Sequence, residues 1–272
     1  MKILFTDLDD TLLNNQSQVS PETKAFLDEF LAAGNRLVLS SGRPLMSVME
    51  VKELAGLHQP GIFLSASNGC RVYDCDKQRT IRKFGLPLPY ISYLQEQAKE
   101  LSLHIQTYRD SDVDDAIISP ADDEEVRYYR RKIHLPLVVS ENLRDALTEE
   151  PCKMLAISLH NYEKLETFRK KIADWAEGRI RTIYSSNIYL ELYGWNAGKG
   201  SSLLFLCDYL GIPVSDSFAA GDAENDISML DAAGCGIAMK NATDKVKAHA
   251  DVVTDLDNDQ NGLADMMRKL LN

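Results

Sequence analysis

The feature that most constrains the fold is a change of rhythm along the chain. It opens with short apolar runs alternating with amphipathic segments. Ile3 to Thr6 reads as a strand, followed by a turn-rich stretch to Gln18. Ser20-Pro21-Glu22 then starts a helix, with Ser as N-cap, Pro at the first helical position and an acid in the first turn. Phe26, Leu27, Phe30 and Leu31 keep helical spacing, and Gly34 closes the segment. Arg36 to Leu39 reads as a strand, Leu45 to Leu54 as a helix and Ile62 to Ala66 as a third strand. Such alternation predicts a parallel sheet with helical crossovers.

The rhythm then breaks. Cys70 to Phe84 reads as a hairpin, punctuated by Leu86-Pro87-Leu88-Pro89. A helix (Tyr90 to Leu101), strands near His104–Tyr108 and Ala116–Ser119, and a helix from Asp122 to Ile133 follow. After a Pro-bounded loop come a strand from Lys153, a helix from Tyr162 to Glu177, and strands near Arg179–Tyr184 and Ile188–Tyr193. Adjacent strands without intervening helices predict an antiparallel α+β module. From Gly198 the first rhythm resumes: helix to Leu210, strand Ser217–Ala220, helix Glu224–Ala233, strand Gly236–Ala238, helix Ala242–Ala250, strand Val252–Val253, and a last helix to Leu271. The expected organisation is one doubly wound α/β domain, residues 1–83 and 189–272, interrupted by an α+β domain, residues 84–188.

Composition excludes several classes. The chain has 272 residues and a net charge of −11, which argues against a surface for nucleic acid or anionic membrane. No apolar run approaches the roughly 18–20 residues of a membrane span. Met1 to Asp7 reaches a carboxylate after three apolar residues, too short for the core of a signal peptide. The five cysteines (Cys70, Cys75, Cys152, Cys207, Cys235) are odd in number and scattered, which predicts reduced thiols in a cytoplasmic protein. The five histidines show no metal-ligand spacing.

In open α/β sheets, ligands bind outside the carboxyl ends of the strands. The polar residues at those ends are Asp7, Asp9, Asp10 and Thr11; Ser41, Gly42 and Arg43; Asn68 and Gly69; and Gly221, Asp222, Glu224, Asn225 and Asp226, with Lys199 opening a helix. Carboxylates gathered at one sheet edge repel one another. A bound cation relieves that repulsion, and all-oxygen ligation suits Mg²⁺.

Asp7-Leu8-Asp9-Asp10-Thr11 resembles the DxDxT signature of the haloacid dehalogenase (HAD) superfamily. Ser41 after Leu37-Val38-Leu39-Ser40, then Lys199, then Gly221-Asp222-Ala223-Glu224-Asn225-Asp226 resemble its second, third and fourth motifs in order. Gly42-Arg43-Pro44, Asn68-Gly69 and Gly236-Ile237-Ala238-Met239 with Asn241-Ala242 are similar to the Cof-type branch, subclass IIB, whose α+β cap (type C2B) lies between the second and third motifs. The resemblance implies a Rossmann-like core and a phosphatase of small phosphorylated metabolites, with a sugar phosphate as the expected substrate. It implies Asp7 as nucleophile and Asp9 as general acid/base. It implies Mg²⁺ held by Asp7, Asp222 and the backbone carbonyl of Asp9, with Asp226 as a further ligand or an outer support, and phosphoryl oxygens bound by Ser41 and Lys199. Serine replaces the threonine common at the second motif and keeps the hydroxyl.

Other readings stay open at this level. Gly42, Arg43, Asn68 and Asn225 are candidate substrate contacts. Arg43 equally suits a structural ion pair, Asn68 a turn, and Asn225 support of Lys199 or the metal loop. Asp110 to Glu125 holds eight acids and no bases, expected as solvated surface, and Arg127, Arg130, Arg131 and Lys132 follow it, facing either those acids or the site. Two alternatives share the nucleophile: a phosphomutase, and a phospho-aspartate sensor. A sensor has no need of an acid/base at Asp9. Expected partners are a small phosphorylated metabolite, with no nucleic acid or membrane; the oligomeric state stays open between monomer and weak dimer.

Overall fold

A computed structural model of the chain describes residues 1–111 and 115–271. The first strands are β1 (Ile3–Thr6), β2 (Arg36–Ser40), β3 (Ile62–Ala66), β4 (Arg71–Asp74) and β5 (Arg79–Lys83). Helices α1 (Pro21–Ala32) and α2 (Leu45–Leu54) provide the first crossovers. Ser20 caps α1 by accepting a bond from the Thr23 amide. A middle stretch then contributes α3 (Leu88–Glu100), β6 (His104–Arg109), β7 (Ala116–Ser119), α4 (Glu124–Tyr129), β8 (Leu137–Val139), β9 (Lys153–Ile157), α5 (Tyr162–Ala176), β10 (Ile180–Ser186) and β11 (Tyr189–Gly194). The last stretch adds α6 (Lys199–Leu210), β12 (Ser217–Gly221), α7 (Ile227–Ala232), β13 (Cys235–Ala238), α8 (Asp244–Lys247), β14 (Val252–Val253) and α9 (Gly262–Leu271).

Two sheets result. The first runs β14-β13-β12-β1-β2-β3-β4-β5 and is parallel from β14 to β3, with the β4–β5 hairpin antiparallel at one edge. Its central strands are apolar on both faces, as strands covered by helices on both sides must be. Leu4, Leu37 and Leu39 pack with Phe26 and Leu27 of α1, Val48 of α2 and Leu263 of α9. Ile3, Phe5 and Val38 point the other way, to Leu203 of α6 and Leu230 of α7. Each such side chain stabilises the fold by about 1.5–3 kcal/mol on burial. This is the expected doubly wound α/β core.

The second sheet runs β10-β11-β9-β6-β7-β8, antiparallel except for the β7–β8 pair. Met154, Ala156, Leu190 and Leu192 face Leu94 of α3 and Phe168 of α5. The alternate residues, Lys153, Tyr189 and Glu191, take the opposite face.

Several expectations change. The boundary expected after Ile188 does not follow the sheets: β11 pairs with β9 and β10, so Tyr189 to Gly194 lies in the second sheet. The helix expected from Asp122 to Ile133 starts at Glu124, where Asp123 caps it through the Val126 amide, and ends at Tyr129. The helix expected from Glu224 begins with a tight turn, Glu224–Asp226. The acidic run is only partly solvated. Asp122 and Glu124 are exposed, but Asp110 is buried, accepting the Cys152 amide at 2.6 Å, and Asp115 is buried, accepting the Met46 amide at 3.1 Å. Burial pushes Asp115 up to about 7. Asp112 and Asp114 lie outside the described residues. All five cysteines are free.

Candidate active site

The site is built where the parallel strands end. Asp7 follows β1 and donates its amide to the Ala220 carbonyl of β12 at 2.9 Å. The chain then turns through Leu8–Leu12, with Asp10 in the left-handed region (φ 58°) and Leu8 and Leu12 buried. That turn brings the Thr11 hydroxyl to Asp222, 2.7 Å away, just beyond β12. Ser41 follows β2, its hydroxyl accepting the Arg43 amide at 3.2 Å. Gly69, at φ +80°, turns the chain so close to Gly198 that a Cβ would lie 2.2 Å from the Gly198 carbonyl oxygen. This contact fixes the start of α6 and so Lys199. Gly221 makes room for Asp226, which a Cβ there would meet at 2.4 Å.

Lys199 is fully buried and donates to Asp7 and Asp226, 2.5 Å from each. The other Asp226 oxygen accepts the amides of Asp222 and Ala223 at 3.0 Å. Burial raises Asp7 well above the carboxylate range, against the pull of Lys199 and with the push of Asp226, Asp222 and Asp9. Burial, then Asp226, raises Asp222 to about 7. Burial works against the Lys199 ammonium, but Asp226 and Asp7 hold its pKa above the usual lysine range. One lysine thus stands among three buried or half-buried carboxylates. Asp7, Asp222 and Asp226 offer oxygens all within 4.8 Å of one another, an all-oxygen donor set short of positive charge that fits Mg²⁺.

Asp9 turns away from that cluster to Arg43, which grips it with both nitrogens (Nε to Oδ2 2.9 Å, Nη2 to Oδ1 2.7 Å). Burial opposes the Asp9 charge, but the Arg43 fork outweighs it and holds Asp9 below its ordinary value. Asn225 donates to the Asn68 side chain at 2.9 Å, and Asn68 sits in a left-handed turn, φ 57°. Asn241 donates to the Asp10 carbonyl, tying the loop after β13 to the turn after β1. Asp7, Asp9, Ser41, Gly42, Arg43, Asp222 and Asn225 line one cavity of about 180 Å³. Lys199, Asp226 and Asn68 are buried and do not line it.

Residues 4–267 match the family model of haloacid dehalogenase-like hydrolases. The chain belongs to the haloacid dehalogenase-like hydrolases. It is 30% identical to the phosphatase YwpJ of Bacillus subtilis over the whole of both chains. To the 5-amino-6-(5-phospho-D-ribitylamino)uracil phosphatase YwtE of the same organism it is 28% identical, over 100% of this chain and 98% of the other. The fold superposes on a haloacid dehalogenase-like hydrolase from Bacteroides thetaiotaomicron with a TM-score of 0.88 at 27% identity, covering 99% of each chain. The chain is a phosphatase of this family. Among the described residues, no helix is long and apolar enough to cross a membrane.

The inserted stretch, its sheet and the segment at and after the end of α4, supplies another wall of this hydrolase's cavity. Tyr129, Lys132, Ile133, Lys153, Tyr189 and Glu191 line it. Lys153, 1% exposed, donates to Glu191 and to the Gly42 carbonyl, each at 2.6 Å, so the insert grips the loop that carries Ser41. Sequence reasoning missed Lys153 and Glu191. Their only signal is a charge at alternate positions of otherwise apolar strands, and it gains meaning only once β9 and β11 pair.

Proposed function

We propose that the chain is a Mg²⁺-dependent hydrolase of phosphate monoesters of small metabolites, sugar phosphates in particular, working through a phosphorylated Asp7. The observation that carries this reading is the buried grouping of Asp7, Asp222 and Asp226 around Lys199, reaching the cavity through Asp7 and Asp222. Asp7, Asp222, Asp226 and the Asp9 carbonyl would hold the cation. Bound there, it shields Asp7 from the negative charge of the phosphate it attacks.

The protein's own groups do the rest. The Ser41 hydroxyl binds the phosphoryl oxygens, Lys199 stands behind Asp7 and offsets the negative charge gathered there, and Gly42, Arg43, Asn68 and Asn225 shape or support that pocket. An Asp7 oxygen attacks phosphorus as the ester P–O bond breaks, and Asp9 gives its proton to the leaving alkoxide. Water then attacks phosphorus while Asp9 takes its proton. The bond to Asp7 breaks and inorganic phosphate leaves. With Arg43 on it, Asp9 is ionised and poised as a base. Its acid step requires Arg43 to turn toward the incoming phosphate, which frees Asp9 to carry a proton. The inserted domain acts as a cap that closes over substrate and excludes bulk water. Free thiols fit a reducing compartment, and we assign the protein to the cytoplasm.

Asp7→Asn removes the nucleophile while keeping its shape. Turnover of p-nitrophenyl phosphate with Mg²⁺ should fall by roughly three orders of magnitude or more. Unimpaired turnover would overturn the mechanism.

A further inference from the structure

The basic cluster after the acidic run divides sharply. Arg127 pairs with Asp122 at 2.9 Å, Arg130 donates to the Leu135 carbonyl at 3.3 Å, and Arg131 lies over the Tyr128 ring at 5.3 Å. Lys132 alone of the four lines the cavity that holds Asp7, Asp9 and Ser41. Its ammonium has no hydrogen bond or ion pair among the described residues. The other two cations lining the cavity are committed: Arg43 to Asp9, and Lys153 to Glu191 and the Gly42 carbonyl. Lys199, behind the wall, is held by Asp7 and Asp226. Lys132 is close enough to Asp9 for its charge to favour the Asp9 carboxylate.

The remaining charges on the wall are carboxylates: Asp7, Asp9, Asp10, Glu191 and Asp222. An anionic substituent on the substrate is therefore repelled around most of the cavity and attracted at one place. We infer that Lys132 reads a second negative charge, so that the preferred esters carry a carboxylate or a second phosphate on the leaving group. This rests on the phosphatase mechanism proposed above. A lysine suits the task because its compact charge sits on a flexible stem and reaches ligands of differing length. Tyr129, Tyr189, Ser185 and Ser186, on the same side, leave apolar and hydroxyl surface for the body of a polyol.

Matched esters test it. Sorbitol 6-phosphate and 6-phosphogluconate differ at one end, a hydroxymethyl against a carboxylate. Glucose 6-phosphate and glucose 1,6-bisphosphate form the second arm, so the two kinds of anion are told apart. Each ester is measured both as a substrate and as a competitive inhibitor of p-nitrophenyl phosphate hydrolysis, so an ester that is not turned over still reports its affinity. In Lys132→Met the preference for the anionic over the neutral member should fall about fivefold in at least one arm, as loss of a partly exposed ion pair implies. The fall should appear in KM or the inhibition constant rather than kcat, and Lys132→Arg should restore it. An unchanged preference in both arms, or equal losses on both members of each pair, would overturn the inference. Failure of the underlying mechanism shows separately, as retained turnover in Asp7→Asn.

Discussion

Asp7 and Asp222 are held away from their ordinary protonation, and the sign of that shift sets how pH and metal act together. Both are raised by burial, Asp222 to about 7. Without a cation, the folded state therefore loses stability as pH rises from the unfolded value of about 4 toward 7. A cation has to displace protons from these groups, so its hold strengthens as they ionise. The rise in Tm on adding Mg²⁺ should be larger at pH 8 than at pH 6, with the change centred near 7; thermal unfolding with EDTA and with Mg²⁺ at each pH measures it. A rise independent of pH would mean the cation binds elsewhere. Arg43 works in the opposite direction on Asp9. In Arg43→Met the Asp9 pKa should rise and the pH profile of kcat/KM should shift, which a pH series on p-nitrophenyl phosphate reads directly. At this scale the sequence was most legible. Asp7, Ser41, Lys199 and Asp222 each follow a strand or open a helix that local pattern alone marks. The partners of Arg43 and Asn68 were not legible, since Asp9 and Asn225 reach them through the fold.

Between elements, glycine decides how closely two loops approach. Gly69 faces the Gly198 carbonyl, and Gly69→Ala brings both a left-handed backbone penalty and a backbone clash. It should destabilise the protein by about 2–4 kcal/mol in urea unfolding and lower kcat by moving Lys199. Gly34 offers the contrast: it shares a positive φ (+84°), but no atom lies within 4 Å of its Cβ position. Gly34→Ala should cost only about 1 kcal/mol and leave kcat unchanged. Helix starts were readable where capping chemistry is local, as at Ser20. They misled where a tight turn or an unexpected cap intervened, as at Glu224 and Asp123.

Over the whole molecule, the two sheets meet at a buried ion pair. Lys153 and Glu191 belong to the second sheet, yet Lys153 also holds Gly42 of the first. Removing one partner strands the other, so Lys153→Met should destabilise by about 3–5 kcal/mol, and adding Glu191→Gln should recover part of it. Two-variant chemical denaturation tests the coupling. The boundary drawn at Ile188 missed this connection because β11 reads alone as one more strand before the resuming α/β rhythm; only pairing with β9 assigns it. The core was legible because its candidate site residues sit at strand ends in chain order. The insert's wall was not, because it is assembled from β9, β10, β11 and the end of α4. The account as a whole rests on covalent chemistry at Asp7. The most direct test is an acid-quenched single turnover of p-nitrophenyl phosphate by Asp9→Asn with Mg²⁺, followed by peptide mapping. Its leaving group departs without a proton, so loss of Asp9 should slow water attack more than the first step, and a phosphoryl group should be found on Asp7. A phosphoryl group on another residue, or turnover with the protein unmodified throughout, would contradict the account.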